Sequence, residues 1–149
     1  MAPGLLPRAR GWRGTATGAL PPAPRSGRVA PFSTGCTRMA ALLIVDVDRN
    51  GREALAIAAR LEGLAVATAG SAAQAEALLA EGGFALLVVD CLVPGADALV
   101  RARAGRERIL AVGHQPELLQ RFARRHGVEA LAKPIGPDDL RRRAAPDAA

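Results

Sequence analysis

The chain contains no tyrosine, one lysine and two cysteines, and aromatic residues make up only 3% of its 149 positions. Each scarcity excludes something. With so few rings, a core must be built from Leu, Val, Ile and Ala. Cys36 and Cys91 form no C-x-x-C pair and no Cys/His ligand spacing, so neither a disulfide framework nor a zinc site is expected. Cys91, after an apolar run, is read as a small apolar residue in a reducing, cytoplasmic setting. The longest apolar stretches, Ala40 to Val45 and Phe84 to Val89, are far too short to span a bilayer, so no membrane partner is expected. No G-x-x-x-x-G-K-[ST] phosphate loop occurs.

Acidic residues are missing from one end only. Residues 1–38 hold six Arg and no Asp or Glu, which accounts for the whole net charge of +6 and leaves 14 basic against 14 acidic residues beyond them. A neutral folded part has no electrostatic footprint for nucleic acid, and no nucleic-acid partner is expected. Residues 1–38 are rich in Pro, Gly, Ala and Arg, without a sustained apolar period. They are read as unable to fold alone. An acid-free targeting peptide, a disordered basic arm and a mis-assigned start with translation from Met39 all remain open; the composition shift at Met39 favours the last. Prolines at 3, 7, 21, 22 and 24 would interrupt an amphipathic targeting helix. Residues 39–144 are expected to be the one domain, with 145–149 disordered and no output domain after it.

Within that domain apolar runs alternate with helical patterns. Strands are predicted at Ala41 to Val45, Leu64 to Thr68, Phe84 to Val89, Ile109 to Val112 and Val128 to Ala132. Helices are predicted at Arg52 to Leu61, Ala72 to Glu81 behind a Ser71 cap, Ala96 to Ala104, Pro116 to His126 with Gly127 as its stop, and Asp138 to Arg143. Near-continuous apolar strands joined by helices imply a parallel sheet buried on both faces. The expected fold is therefore α/β: a doubly wound, five-stranded parallel sheet of flavodoxin-like (βα)5 type in three layers.

In such a sheet the working site lies beyond the carboxyl ends of the strands. The polar residues that end the apolar runs are Asp46, with Asp48 two positions on, then Asp90, then Lys133. Converging carboxylates favour a divalent cation, and Mg²⁺ needs only one or two of them. One Asp could then take a phosphoryl group as an aspartyl phosphate. Lysine offers a compact point charge on a flexible stem, unlike the wide guanidinium fork. That distinction gives the lone Lys133 a reason, although an arginine-biased composition could also leave one lysine by chance.

The stretches LLIVDVD, FALLVVDCLVPG and GVEALAKPIGPDDL resemble three motifs of two-component response-regulator receiver domains, in order and over about residues 40–143. The spacings, 44 residues from Asp46 to Asp90 and 43 from Asp90 to Lys133, fit that family. The resemblance implies that Asp90 is the phospho-acceptor, Lys133 its phosphoryl contact, and Asp46, Asp90 and the Leu92 carbonyl the Mg²⁺ ligands, with Asp48 as a substitute acid. It implies a cis bond before Pro134, a sensor histidine kinase or phosphotransfer protein as donor, and an unknown downstream protein as target. The domain would be a signalling module, not an enzyme.

The pattern breaks in three places. Val47 stands where the family has its second acid, Val112 where it has Ser or Thr, and Ala130 where it has Tyr or Phe. A weak switch is expected, since a ligand shifts an equilibrium only through differential contacts. A phosphorylation-independent pseudo-receiver that acts as a binding module is the alternative. Asp46-Val47-Asp48 also matches the D-x-D motif of haloacid-dehalogenase phosphatases, with Asp138-Asp139 as the later acids, but no cap is present. His114 is a candidate phosphoryl donor in place of the missing hydroxyl, against the plainer reading of an exposed loop residue. His126 is read as a cation at a helix C-terminus.

Overall fold

The computed structural model describes residues 41–145. The expectations for residues 1–38, and most of that for 145–149, lie outside this range. Five strands, β1 (Ala41–Val45), β2 (Ala65–Ala69), β3 (Leu86–Asp90), β4 (Arg108–Gly113) and β5 (Glu129–Ala132), form one parallel sheet in the order β2-β1-β3-β4-β5. Five helices follow them in turn: α1 (Arg49–Leu61), α2 (Ala72–Glu81), α3 (Ala96–Arg103), α4 (Pro116–His126) and α5 (Pro137–Ala144). This is the expected three-layer, doubly wound fold.

The period of two along each strand divides the core. Leu42, Ile44, Leu86, Val88, Leu110 and Val112 face α1 and α5, where Ala56, Ala59, Leu140 and Ala144 pack on them. Leu43, Val45, Leu87, Val89, Ile109 and Ala111 face the other layer, built from Ala75 and Leu79 of α2, Leu99 and Val100 of α3, and Leu119 and Phe122 of α4. Each fully buried Leu or Val contributes about 1.5–3 kcal/mol of transfer free energy. The small Ala56 and Ala59 let α1 lie close to the sheet.

Element edges depart from the pattern where local hydrogen bonds override it. The first helix starts three residues early, because the Asp48 carboxylate caps it by accepting from Asn50 N at 3.2 Å. The second strand runs one residue later than expected, with Leu64 turned into the core beside α1. The third begins at Leu86 and includes Asp90 as its last residue. At the end of α4, Gly127 adopts a left-handed φ of 63° and closes the helix, as expected.

His126 does more than its place at a helix end suggests. Its side chain is 4% exposed, its ring lies 4.6 Å from that of Phe122, and its Nε2 is 2.6 Å from Asp97 Oδ1 on α3. The pair ties α4 to α3. The His126 hydrogen bond holds the Asp97 carboxyl below the usual carboxylate range; burial opposes it and Arg125 adds to it. A depressed folded pKa gives stability that is present above the unfolded value of about 3.9 and lost as pH falls through the folded value. Urea unfolding of Asp97→Asn against the parent should therefore show a deficit at about pH 5 that narrows as pH falls below about 4. A deficit that is independent of pH down to full acid would contradict this.

Candidate functional site

Parallel β1, β3 and β5 bring their carboxyl ends to one rim. Asp46 follows β1, Asp90 ends β3 and Lys133 follows β5. The three side chains meet there. Lys133 Nζ donates to Asp46 Oδ2 and, at 2.6 Å, to Asp90 Oδ2. The outer carboxylate oxygens are held by main chain: Asp46 Oδ1 accepts from Asp48 N at 2.9 Å and Asp90 Oδ1 from Leu92 N at 2.8 Å. The strand after β4 is anchored by Lys133 N donating to Gly113 O at 2.9 Å, and the Lys133–Pro134 peptide bond is cis.

Burial singles these groups out. Among the described residues, Asp46 at 6% and Asp90 at 5% exposure are the buried polar ones. Desolvation alone would push the Lys133 ammonium down, but its hydrogen bonds to Asp46 and Asp90, with their charges, outweigh that and hold it above its ordinary value.

Arg52 is a member that sequence reasoning missed. From α1 its Nη1 donates to the Asp46 carbonyl at 2.7 Å, while its buried Nε lacks a hydrogen bond. Nothing in the sequence separates it from the other arginines. Beside the trio opens a cleft of about 200 Å³. Leu55, Val112, Pro134 and Ile135 give it apolar walls, and Asp48, Arg52 and an exposed His114 lie at its polar end.

Other expected residues do not gather here. Asp48 is exposed and its carboxylate is used as the cap of α1, so it does not replace the acid missing at Val47. Val47 itself is 55% exposed. The Leu92 contact is made by its N–H, to Asp90. Asp138 pairs with Arg141, and Asp139 accepts from Gly136 N, so neither joins Asp46 in a phosphatase-like acid set. Among the described residues no group of three or more His, Cys, Asp or Glu is arranged to hold a metal. An ammonium sits between the two buried carboxylates, so a Mg²⁺ ion at this rim would compete with Lys133 for Asp46 Oδ2 and Asp90 Oδ2.

The switch assignment needs a correction. Val112 packs with Leu42, Ile44 and Val88 on the α1/α5 side, whereas Ala130 packs on the α4 side. A hydroxyl at 112 would be separated from residue 130 by the sheet. The position on the side of Ala130 is Gly113: a Cβ there would lie 3.7 Å from Leu119 Cβ and 2.9 Å from Cys91 Sγ.

No family model matches the chain, and no curated protein does. Solved structures do. A CheY-like response regulator receiver domain protein from Methanospirillum hungatei JF-1 is 25% identical, with a TM-score of 0.60 over 69% of this chain and 88% of that one. The chemotaxis response regulator CheY4 of Vibrio cholerae is 26% identical, with a TM-score of 0.60 over 69% and 93%. A receiver domain protein from Clostridium thermocellum, 18% identical, superposes with a TM-score of 0.62 over 70% and 90%. Residues 41–145 share the fold of these response regulator receiver domains. The sheet order and helix placement put Asp90 and Lys133 at the carboxyl rim of the sheet. Among the described residues no helix is long and apolar enough to cross a membrane.

Proposed function

We propose that this receiver domain accepts a phosphoryl group on Asp90 from a histidine kinase or phosphotransfer protein in the cytoplasm, and signals by protein contact. The observation that carries the reading is the buried Asp90 carboxylate held against the Lys133 ammonium at the rim. In the transfer an Asp90 oxygen attacks phosphorus and the P–N bond of a phosphohistidine breaks. The imidazole nitrogen keeps the electron pair. Lys133, already aimed at Oδ2, offsets the charge that builds on the phosphoryl oxygens. Arg52 and Leu92 hold the two acids in place through the Asp46 carbonyl and Asp90 Oδ1. No step is assigned to a metal; Asp46 and Asp90 would hold one in competition with Lys133.

Incubation with acetyl phosphate, followed by intact-mass measurement, tests this. The expected result is one phosphoryl adduct on the wild type, hydroxylamine-sensitive and absent in Asp90→Asn. No adduct, with or without added Mg²⁺, would reject the transfer reading. It would leave the phosphorylation-independent binding module, which Val47, Gly113 and Ala130 favour because each removes a group that phosphorylation would use.

A further inference from the structure

The α4 side of the rim is stripped of polar and aromatic side chains at Gly113 and Ala130, yet it is not empty. Cys91 fills it. Asp90 is the last residue of β3 and Cys91 the first beyond it, and their side chains go to different places. Asp90 turns to Lys133. Cys91 turns to the α4 layer and packs against the cluster that contains Leu119 and Phe122, with Ala130 alongside. Its N–H donates to Val112 O at 2.9 Å, which pins it to β4. Its Sγ takes the volume that a side chain at 113 would need: a Cβ on Gly113 would come within 2.9 Å of it. Glycine at 113 and cysteine at 91 are therefore complementary shapes.

The thiol also feels the site. Burial raises its pKa, the Asp90 charge raises it further, and Lys133 pulls the other way, so at neutral pH it is a protonated, compact neighbour of the phospho-acceptor.

We propose that Cys91 is the positioning residue that couples Asp90 to β4 and α4, through the contact of its Sγ with Gly113, in place of the hydroxyl and ring that this chain lacks. A change of charge or bulk on Asp90 moves one peptide unit, and that unit carries the sulfur seated against Gly113. The inference rests on the receiver reading for the role of Asp90, but its test needs no phosphoryl transfer.

Amide spectra of Asp90→Asn are compared with its parent in three backgrounds: native Cys91, Cys91→Ala and Cys91→Val. Neutralising Asp90 should shift the Gly113 and Leu119 amides in the native and Val backgrounds, and by less than half as much with Ala, which has no γ atom. Equal amide shifts in the Ala and native backgrounds would overturn the proposal. Absence of an acetyl phosphate adduct would instead strike the phosphoryl-transfer reading and leave this outcome readable.

Discussion

Replacing Lys133 with Met will cost the fold about 3 kcal/mol at neutral pH, the low end of what removal of one partner from a buried ion pair costs. The ammonium is the shared counter-ion of two carboxylates that are each more than nine-tenths buried. Without it two like charges face each other in a poorly solvated rim, and each keeps one main-chain donor only. The loss depends on pH, because Lys133 has a raised folded pKa. Its contribution is full below the unfolded lysine value of about 10.4 and is lost as pH rises through the folded value. Urea unfolding of both proteins across that range checks it; equal stability at pH 7 would mean that the rim is open to water. Asp90→Asn in the Lys133→Met background should restore part of the loss, because it removes the repulsion along with one charge.

The second large effect is a gain. Val47→Asp should raise Mg²⁺ affinity by about tenfold or more, because affinity at such sites follows the number of charged oxygen ligands. Val47 directly follows Asp46 and is more than half exposed, so the new carboxylate meets little steric resistance. It takes the rim from two carboxylates to three against the one ammonium. Calorimetric titration of both proteins with Mg²⁺ makes the comparison. If the affinities are equal, the cation does not bind between the ends of β1 and β3, and the assignment of Val47 as the missing ligand position is wrong.

These outcomes turn on features that differ in how plainly the chain displays them. The five apolar runs, and the acids and lysine that end three of them, were readable because a strand buried on both faces must be apolar throughout and must stop at the rim. Right-handed crossovers then leave few ways to arrange five such units. Asp90 and Lys133 followed directly. Asp48 did not, because a carboxylate two residues past a strand can bind an ion or cap a helix, and here the Asn50 N–H claims it. Arg52 was hidden among many arginines and became visible only when α1 laid it over the Asp46 carbonyl. His126 looked like a cation at a helix end, until α3 supplied Asp97 beside it.

Local chemistry along the chain was enough to specify α/β layering and the identity of the charged trio, since each depends on residues close in sequence and on rules of chirality. Which face a strand residue serves was decided by packing. Val112 and Gly113 are one step apart, and the register Asp90↔Val112 and Gly113↔Ala132 with the helix layers assigns the first to α1/α5 and leaves the second on the side of α4. The same packing put the Cys91 sulfur into the space beside Gly113, a neighbourhood that spans 22 residues of chain and that no local pattern encodes.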